Sequence, residues 1–299
     1  MVQIWLSGSN GFVGKHIVTY LDNNMTYDYL FFSLHKTGFR LLDPNTNKSD
    51  FFLWSDPLSF NRPFPNFILH FGASGVGDPL KYSIHASNYQ LTKYFCNFLS
   101  DCKYEGKFIF AGTIDEYESC VHKREDEIVH LHKLDPYAHF KLKTFQSFKR
   151  IFQPTDIQYS HLRIANLYGL GQRSGTLFPL LISKDIHVLN VNNLDYYRDL
   201  LFVGDFVSNL FSFLQLESIP ELVNVGSGRS ALMSDFARLA WTSAGKDLGL
   251  LTFGDPMFTN SRKRAVVHMN ISLARKLLKD GYACNEYENV LPYILKGVF

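Results

Sequence analysis

Cysteine is scarce in this chain. Cys96, Cys102, Cys120 and Cys284 are its only four in 299 residues, and none stands at C-x-x-C or zinc-ligand spacing. So few cysteines call for no disulfide framework and read as free thiols of a reducing compartment, hence a cytoplasmic location. No apolar run reaches the roughly 18–20 residues of a membrane helix. Charge of one sign is also lacking. The net charge is +2, and Arg262-Lys263-Arg264 is the only tight basic cluster, so there is no footprint for nucleic acid or an anionic membrane. There is no internal repeat and no low-complexity segment. No signal peptide is expected either, because a glycine turn already begins at residue 8. What is present is ordinary for a soluble globular protein: 46% hydrophobic and 19% charged residues, with 27 Phe and 16 Tyr that read as a large aromatic core. The length suits one large or two modest domains.

The most informative stretch is Gly8-Ser9-Asn10-Gly11-Phe12-Val13-Gly14. It follows a short apolar run, Val2 to Ser7, and opens an amphipathic one, Lys15 to Leu21. In a strand–turn–helix context the first glycine permits a tight turn. The second lets backbone approach a pyrophosphate, and the third lets the helix pack hard on the strand. The helix then aims free N–H groups and its positive dipole end at the phosphates. Gly8, Asn10, Gly11, Phe12, Val13 and Gly14 are the expected cradle, with G-x-x-G-x-x-G spacing rather than G-x-G-x-x-G.

Strands are expected over Tyr29 to Leu34, Phe67 to Phe71, Lys107 to Ala111 and Gln158 to Ile164, and helices over Tyr89 to Leu99 and Pro136 to Ile151. Asp135 is placed to cap the latter, with Pro136 at its first position. This alternation over about the first 165 residues is the pattern of a doubly wound parallel sheet, whose ligands bind at the carboxyl ends of the strands. After Asn166 the rhythm loosens. Gly169 to Gly175 is a glycine-rich loop, and helices are expected at Thr176 to Ser183, Asp205 to Leu216, Asp235 to Ala244, Ile271 to Asp280 and Tyr287 to Lys296.

Tyr137 and Lys141 form Y-x-x-x-K, which places both side chains on one helix face. A neighbouring ammonium favours phenolate, so Lys141 is expected to lower the Tyr137 pKa and make it a proton donor to a carbonyl being reduced. Tyr89 and Lys93 repeat the pattern, but they precede the strand ending at Thr113, on a helix better suited to packing. Thr113 stands where it could bond the same substrate oxygen.

Taken in order, Gly8 to Gly14, His70-Phe71-Gly72-Ala73, Asn88, Thr113, Tyr137 with Lys141, Arg163 to Gly169, and Arg198-Asp199 resemble the extended short-chain dehydrogenases/reductases, in their nucleotide-sugar epimerase/dehydratase branch. Gly226 and Met269 to Leu278 are similar to that family's C-terminal pattern, so the resemblance covers essentially the whole chain. It implies an α/β fold: a Rossmann-type doubly wound parallel sheet with a smaller, discontinuous C-terminal α/β substrate domain. Residues 1–165 would form the NAD(P)-binding domain, regaining a piece around 196–220, and residues 166–299 the nucleotide-sugar domain. It further implies a catalytic triad of Thr113, Tyr137 and Lys141. Phe71, Gly72, Ala73 and Asn88, together with Tyr137 and Lys141, would lie along the cofactor. Asn166, Arg198, Thr176 and Arg262, with Thr113, would meet the substrate, Arg198 by forking onto its diphosphate. The alternative for Arg198 is a surface salt bridge with Asp199, and for Arg262-Lys263-Arg264 a solvated turn.

Departures from the pattern narrow the reaction. The 4,6-dehydratases of the family carry Asp-Glu directly after the threonine, where this chain has Ile114-Asp115, so dehydration is not expected. Gly112 to Glu118 instead looks like the G-[ST]-x-x-E-Y-G of 4-keto-6-deoxysugar reductases, with Glu118 in place of glycine, and Gly72 stands where alanine is commoner. The expectation is therefore an NADPH-dependent 4-ketoreductase of a nucleotide-diphosphate sugar. The alternatives are an NAD-dependent nucleotide-sugar epimerase without net redox and a non-catalytic NAD(P)-sensing binder.

NADP(H) is preferred over NAD(H), which stays possible. The end of the second strand, Ser33-Leu34-His35-Lys36-Thr37, holds no carboxylate to accept the ribose hydroxyls, and His35 and Lys36 offer positive charge to a 2′-phosphate. No metal site is expected, since His122, His130, His132 and His139 read as parts of a polar loop. A homodimer is expected through the Tyr89 and Pro136 helices, whose Phe95, Phe98, Phe140, Phe145 and Phe148 exceed what one core face needs.

Overall fold

Strand β1 (Val2–Ser7) runs straight into α1 (Phe12–Asp22) through the glycine turn. The computed structural model describes residues 1–117, 121–127, 129–254 and 268–296. From α1 the chain continues through β2 (Tyr27–Leu34), β3 (Gly38–Leu42), β4 (Ser49–Leu53), β5 (Phe67–His70), α2 (Tyr82–Asp101) and β6 (Lys107–Ala111). Next come β7 (Val121–Lys123), α3 (Pro136–Phe152), β8 (Gln158–Ile164), β9 (Asn166–Tyr168), α4 (Leu177–Ile182), β10 (Leu189–Val191), β11 (Tyr197–Arg198) and β12 (Leu200–Phe202). The last third holds α5 (Val203–Leu214), β13 (Leu222–Val225), β14 (Ala231–Leu232), α6 (Met233–Ser243), β15 (Leu251–Phe253), β16 (His268–Met269), α7 (Ser272–Leu278) and α8 (Tyr287–Ile294).

Eight strands form one sheet in the order β13-β8-β6-β5-β1-β2-β3-β4. β1 pairs in parallel with β2 on one side and β5 on the other, and β5, β6 and β8 continue in parallel. This is the expected Rossmann-type doubly wound α/β sheet. Its strand order reverses between β1 and β5, and crevices at such a switch point are where ligands sit in open α/β sheets. The carboxyl ends that meet there carry Gly8 and Phe71-Gly72.

One part of the expected alternation fails. Between β2 and β5 the chain builds no α-helix but an antiparallel extension, β2 with β3 and β3 with β4, followed by one 3-10 turn at Pro57–Ser59. Two local features drive it. Asp43 accepts from the backbone of Asn45 and the hydroxyl of Thr46, both at 2.8 Å, which closes the turn between the two strands. Gly38 lets β4 come close, since a Cβ there would stand 2.0 Å from the Phe52 carbonyl oxygen. The legible signal was the Asp43-Pro44-Asn45-Thr46-Asn47 turn sequence between them.

The chain divides into two compact units. The first comprises Met1–Glu118, Ile128–Arg163 and Phe213–Val223. Helices α2 and α3 pack on each other in it, over an aromatic core that includes Trp5, Phe39, Phe95, Phe108, Phe148 and Phe152, each at most 1% exposed. Asp135 caps α3 as expected, its carboxylate accepting from Ala138 N–H at 2.9 Å, with Pro136 at the first position. The second unit comprises Ser119–Glu127, Ile164–Ser212 and Asn224–Phe299. Its core gathers Phe178, Leu181, Phe236, Trp241 and Leu291. Here the Asp199 carboxylate is fully buried and accepts from Ser227 N–H and Oγ, both at 2.7 Å, Gly228 N–H at 3.1 Å and Met269 N–H at 3.2 Å.

Helices α2 and α3 carry no surplus of exposed phenylalanines for a dimer contact. Phe95, Phe98, Phe140, Phe145 and Phe148 are all buried within the first unit, at 0–8% exposure, so none is left over. The exposed aromatics of α2 are Tyr82 and Tyr94. No described helix is long and apolar enough to cross a membrane.

Candidate active site

The glycine turn is shaped by close backbone approaches. Gly8 has φ +80°, and a Cβ on it would stand 2.8 Å from the backbone of Phe71 and Gly72. A Cβ on Gly14 would stand 2.0 Å from the Gly8 carbonyl oxygen, so only glycine lets α1 start this close to β1. Asn10 and Gly11 are exposed at the mouth of the turn, and Phe12 and Val13 are half-buried at the helix start. Behind the turn runs a polar relay that sequence reasoning did not find. Ser7 Oγ accepts from Gly72 N–H at 2.9 Å and bonds His70 Nδ1 at 2.6 Å, while His70 Nε2 bonds Thr92 Oγ1 at 2.9 Å. Burial, and then the nearby Lys141 ammonium, push the His70 pKa down to about 3. Its only signal in the sequence was the place of Ser7 and His70 at two strand ends.

Asn88 of α2 clasps the loop after β5, donating to Ser74 O at 2.8 Å and accepting from Ser74 N–H at 3.2 Å. A cleft of about 650 Å³ opens over this floor, lined among others by Gly8, Ser33, Gly72, Ala73, Asn88 and Thr92. At the β2 end, His35 and Lys36 are exposed. His35 Nε2 bonds Ser33 Oγ at 3.0 Å, and its ring meets that of Phe51 edge-on at 5.5 Å.

Tyr137 and Lys141 project from α3 on one face, as expected. Both line a second, narrow pocket with His85, Asn88 and Tyr89. Gly72, Ala73, Asn88 and Thr92 border both spaces, so they adjoin. Lys141 Nζ is buried, donates to Ala111 O at 2.6 Å and lies 4.7 Å above the Phe110 ring. Thr113 is buried near the Tyr137 phenol and donates from Oγ1 to Asp115 Oδ2 at 3.1 Å. Thr113, Tyr137 and Lys141 are thus brought together, and the Tyr137 N–H is fixed to Pro79 O at 3.0 Å. Tyr89, set aside as packing, shares the cavity, with its ring under Lys143 Nζ at 5.0 Å.

The electrostatics correct one expectation. The Tyr137 pKa is raised, not lowered. Loss of water around the phenol is the main cause, the Asp115, Glu116 and Asp135 carboxylates add to it, and the nearby Thr113 hydroxyl opposes it. The Lys141 ammonium donates to the Ala111 carbonyl and lies 5.8 Å over the Tyr137 ring. Burial pushes the Lys141 pKa down to about 8, with Glu116 opposing.

In the second unit Arg198 stacks over Tyr196 at 4.7 Å and donates to Tyr197 O at 2.7 Å. Its side chain forms no ion pair among the described residues, and Asp199 turns inward, so the salt bridge weighed for this pair is absent. Asn166 Oδ1 is buried and unpartnered among the described residues. Thr176 is tied into its own loop, donating to Arg173 O at 2.8 Å. A cleft of about 730 Å³ in this unit is lined by Tyr197, Arg229, Asp235, Asn285, Tyr287 and Glu288, among others. Arg262, its basic neighbours and Glu118 lie outside the described residues. The histidines do not form one polar loop: His122 sits in β7 against the ring of His268 at 4.2 Å, and His139 is on α3.

The model of the NAD dependent epimerase/dehydratase family matches residues 4–226. The chain belongs to that family. It is 29% identical over 106 residues to dTDP-4-dehydro-6-deoxyglucose reductase of Escherichia coli, a match spanning 33% of this chain and 33% of that relative. Among solved structures, UDP-N-acetylglucosamine 4-epimerase from Bacillus cereus superposes with a TM-score of 0.77 at 18% identity, covering 100% of this chain and 99% of that one. RMD from Pseudomonas aeruginosa, complexed with NADPH, gives 0.76 at 19% identity over 99% and 98%. UDP-glucuronic acid 4-epimerase from Bacillus cereus, in complex with UDP-glucuronic acid and NAD, gives 0.72 at 18% over 99% of each chain. At these identities the likeness is one of fold.

Lys141 makes stability depend on pH in a direction that can be checked. An unfolded chain holds the lysine proton up to the ordinary 10.5, the folded chain only to about 8. Between these values the unfolded state binds more protons, so rising pH favours folding. From pH 8 to 10 the unfolding free energy of the wild type in urea should rise relative to that of Lys141→Met, by at most about 1.4 kcal/mol per pH unit. A falling difference would contradict the buried ammonium.

Proposed function

We propose that the protein is an NADPH-dependent reductase of a nucleotide-activated 4-keto sugar. The observation that carries this reading is the shared border of the two spaces in the first unit: the cleft over the glycine turn meets the cavity of Tyr137 and Lys141 through Gly72, Ala73, Asn88 and Thr92. The cradle fits a dinucleotide pyrophosphate, because side chains are excluded from Gly8 and Gly14 by contact with backbone. A bound nicotinamide supplies the hydride that the sugar carbonyl carbon accepts. The residues of the chain do the rest. Tyr137 delivers its proton to the carbonyl oxygen, a role for which a raised pKa keeps it loaded. Thr113 bonds the same oxygen, and Lys141 steadies the cofactor ribose.

The first unit would then be the cofactor domain and the second the nucleotide-sugar domain. Asn166, with its unpartnered buried oxygen, and Arg198, with a guanidinium not engaged by a carboxylate, are the proposed substrate contacts. The acidic wall of the second unit's cleft, with Asp235 and Glu288, suits a base or sugar hydroxyls and leaves the diphosphate to Arg198. A homodimer through α2 and α3 belongs to the same reading and rests on the resemblance.

The reading is tested by incubating the protein with NADPH and a panel of 4-keto nucleotide sugars. Stoichiometric NADPH oxidation with at least one of them is expected, whereas interconversion of sugars without net oxidation would make the protein an epimerase. In the active pair, Tyr137→Phe should lower kcat by on the order of 10²-fold or more with cofactor affinity little changed, and Arg198→Ala should mainly raise KM for the sugar.

The cofactor preference follows from the β2 end. His35 and Lys36 are exposed there and no carboxylate stands beside them to repel a 2′-phosphate. We expect kcat/KM to be higher with NADPH than with NADH, and the ratio to shrink in a His35→Ala, Lys36→Ala double variant. Lysine offers a point charge instead of a fork, so the effect is a preference and not exclusion. A wild type that favours NADH would refute it.

A further inference from the structure

Beneath the Thr113 turn lies a buried ionic cluster that the proposed reaction does not use directly. The Glu116 side chain is fully buried. It accepts from Thr113 N–H at 3.0 Å, from His161 Nε2 at 2.8 Å to each oxygen, and from Arg163 Nε at 3.0 Å. The His161 ring is clamped between Phe110 and Phe145, stacked at 5.6 and 4.7 Å. Its Nδ1 has no partner among the described residues, and burial holds the imidazole below its ordinary pKa, so Nε2 carries the proton and donates it to the carboxylate. The Arg163 guanidinium lies 4.3 Å over the Tyr117 ring. Even Gly112 is part of the arrangement: a Cβ there would stand 2.5 Å from His161 Nε2 and 2.7 Å from Glu116 Oε1. A carboxylate removed from water this completely survives only when charge and hydrogen bonds surround it.

We propose that Glu116, gripped by His161 and Arg163, is the positioning residue of the active site: it fixes the turn that holds Thr113 against Tyr137 and supplies the negative charge that faces Lys141. The proposal rests on the reading of Tyr137 and Lys141 as the reacting pair. Structurally the connection runs from β8, through the Glu116 carboxylate, to the Thr113 N–H, and so fixes the turn whose hydroxyl lies near the Tyr137 phenol. Electrostatically, Glu116 holds both Lys141 and Tyr137 toward their protonated forms, in Lys141 against the larger effect of burial. The groups facing this pair are His161 and Arg163 from β8, Asp115 and Tyr117 from the turn, Asp135 at the α3 cap, His85 from α2, whose ring lies 5.4 Å from that of Tyr137, and His70 from β5.

Glu116→Gln alone strands the Arg163 charge and risks failure to fold, so the decisive protein is Glu116→Gln with Arg163→Met, which removes both charges together. In that folded double variant kcat should fall between about ten- and a hundredfold, the scale of a misplaced catalytic group, with KM for both substrates within about twofold of wild type. The basic limb of the kcat–pH profile should move to lower pH, because Lys141 and Tyr137 lose the charge that held their protons. Glu116→Asp keeps the charge and should return that limb toward wild type. Titration of the full-length protein by lysine ¹³Cε NMR, with Lys141 assigned through Lys141→Met, should show Lys141 titrating lower in the double variant. That measurement needs no turnover, so it stands even if the wild type oxidises no NADPH with any sugar. An unchanged Lys141 titration, or a folded double variant with wild-type kcat and pH limb, overturns the proposal.

Discussion

Everything at the site depends on how closely three backbone segments approach one another at the switch point of the sheet. The Gly8 carbonyl lies where a Cβ of Gly14 would stand, and Gly8 itself abuts Phe71 and Gly72. These approaches bring α1, the end of β1 and the end of β5 together without any side chain between them. The cost is the conformational freedom that glycine loses on folding. The return is an open backbone surface, on which the clasp of Asn88 on Ser74 and the relay of Ser7, His70 and Thr92 keep the adjoining loop in place.

Charge is handled differently in the two units. In the first, Glu116, Lys141 and His70 are buried together, and each is displaced from its ordinary titration by loss of water or by its neighbours. For Glu116 burial works against the charged form, but His161, Arg163 and the Thr113 N–H outweigh it and keep the carboxylate ionised. In the second unit Asp199 is surrounded by backbone and hydroxyl donors instead of cations, and there burial prevails and raises its pKa. Two carboxylates at the same depth behave oppositely according to whether a cation stands among their donors.

The cradle, the capped start of α3 and the pairing of Tyr137 with Lys141 on one face were legible because each is a local matter. A glycine before a helix, Asp135-Pro136, and a four-residue spacing state their own geometry. The antiparallel hairpin of β3 and β4 was also written locally, in the Asp43 turn, but the prior for a strand–helix rhythm overrode it.

What the sequence by itself determined is the sheet, its switch point and the residue types delivered to it, since strand and helix periods and glycine positions are carried by neighbouring residues. What only the tertiary structure decided is the state of those residues. Spacing suggested that Lys141 would draw the Tyr137 proton off. The fold instead buries the phenol, and the ammonium donates to the Ala111 carbonyl. Likewise Glu116, His161 and Arg163 lie up to 47 positions apart in the chain and meet only because β8 pairs with β6. Burial and long-range contact set protonation, and neither is encoded at any single stretch of the chain.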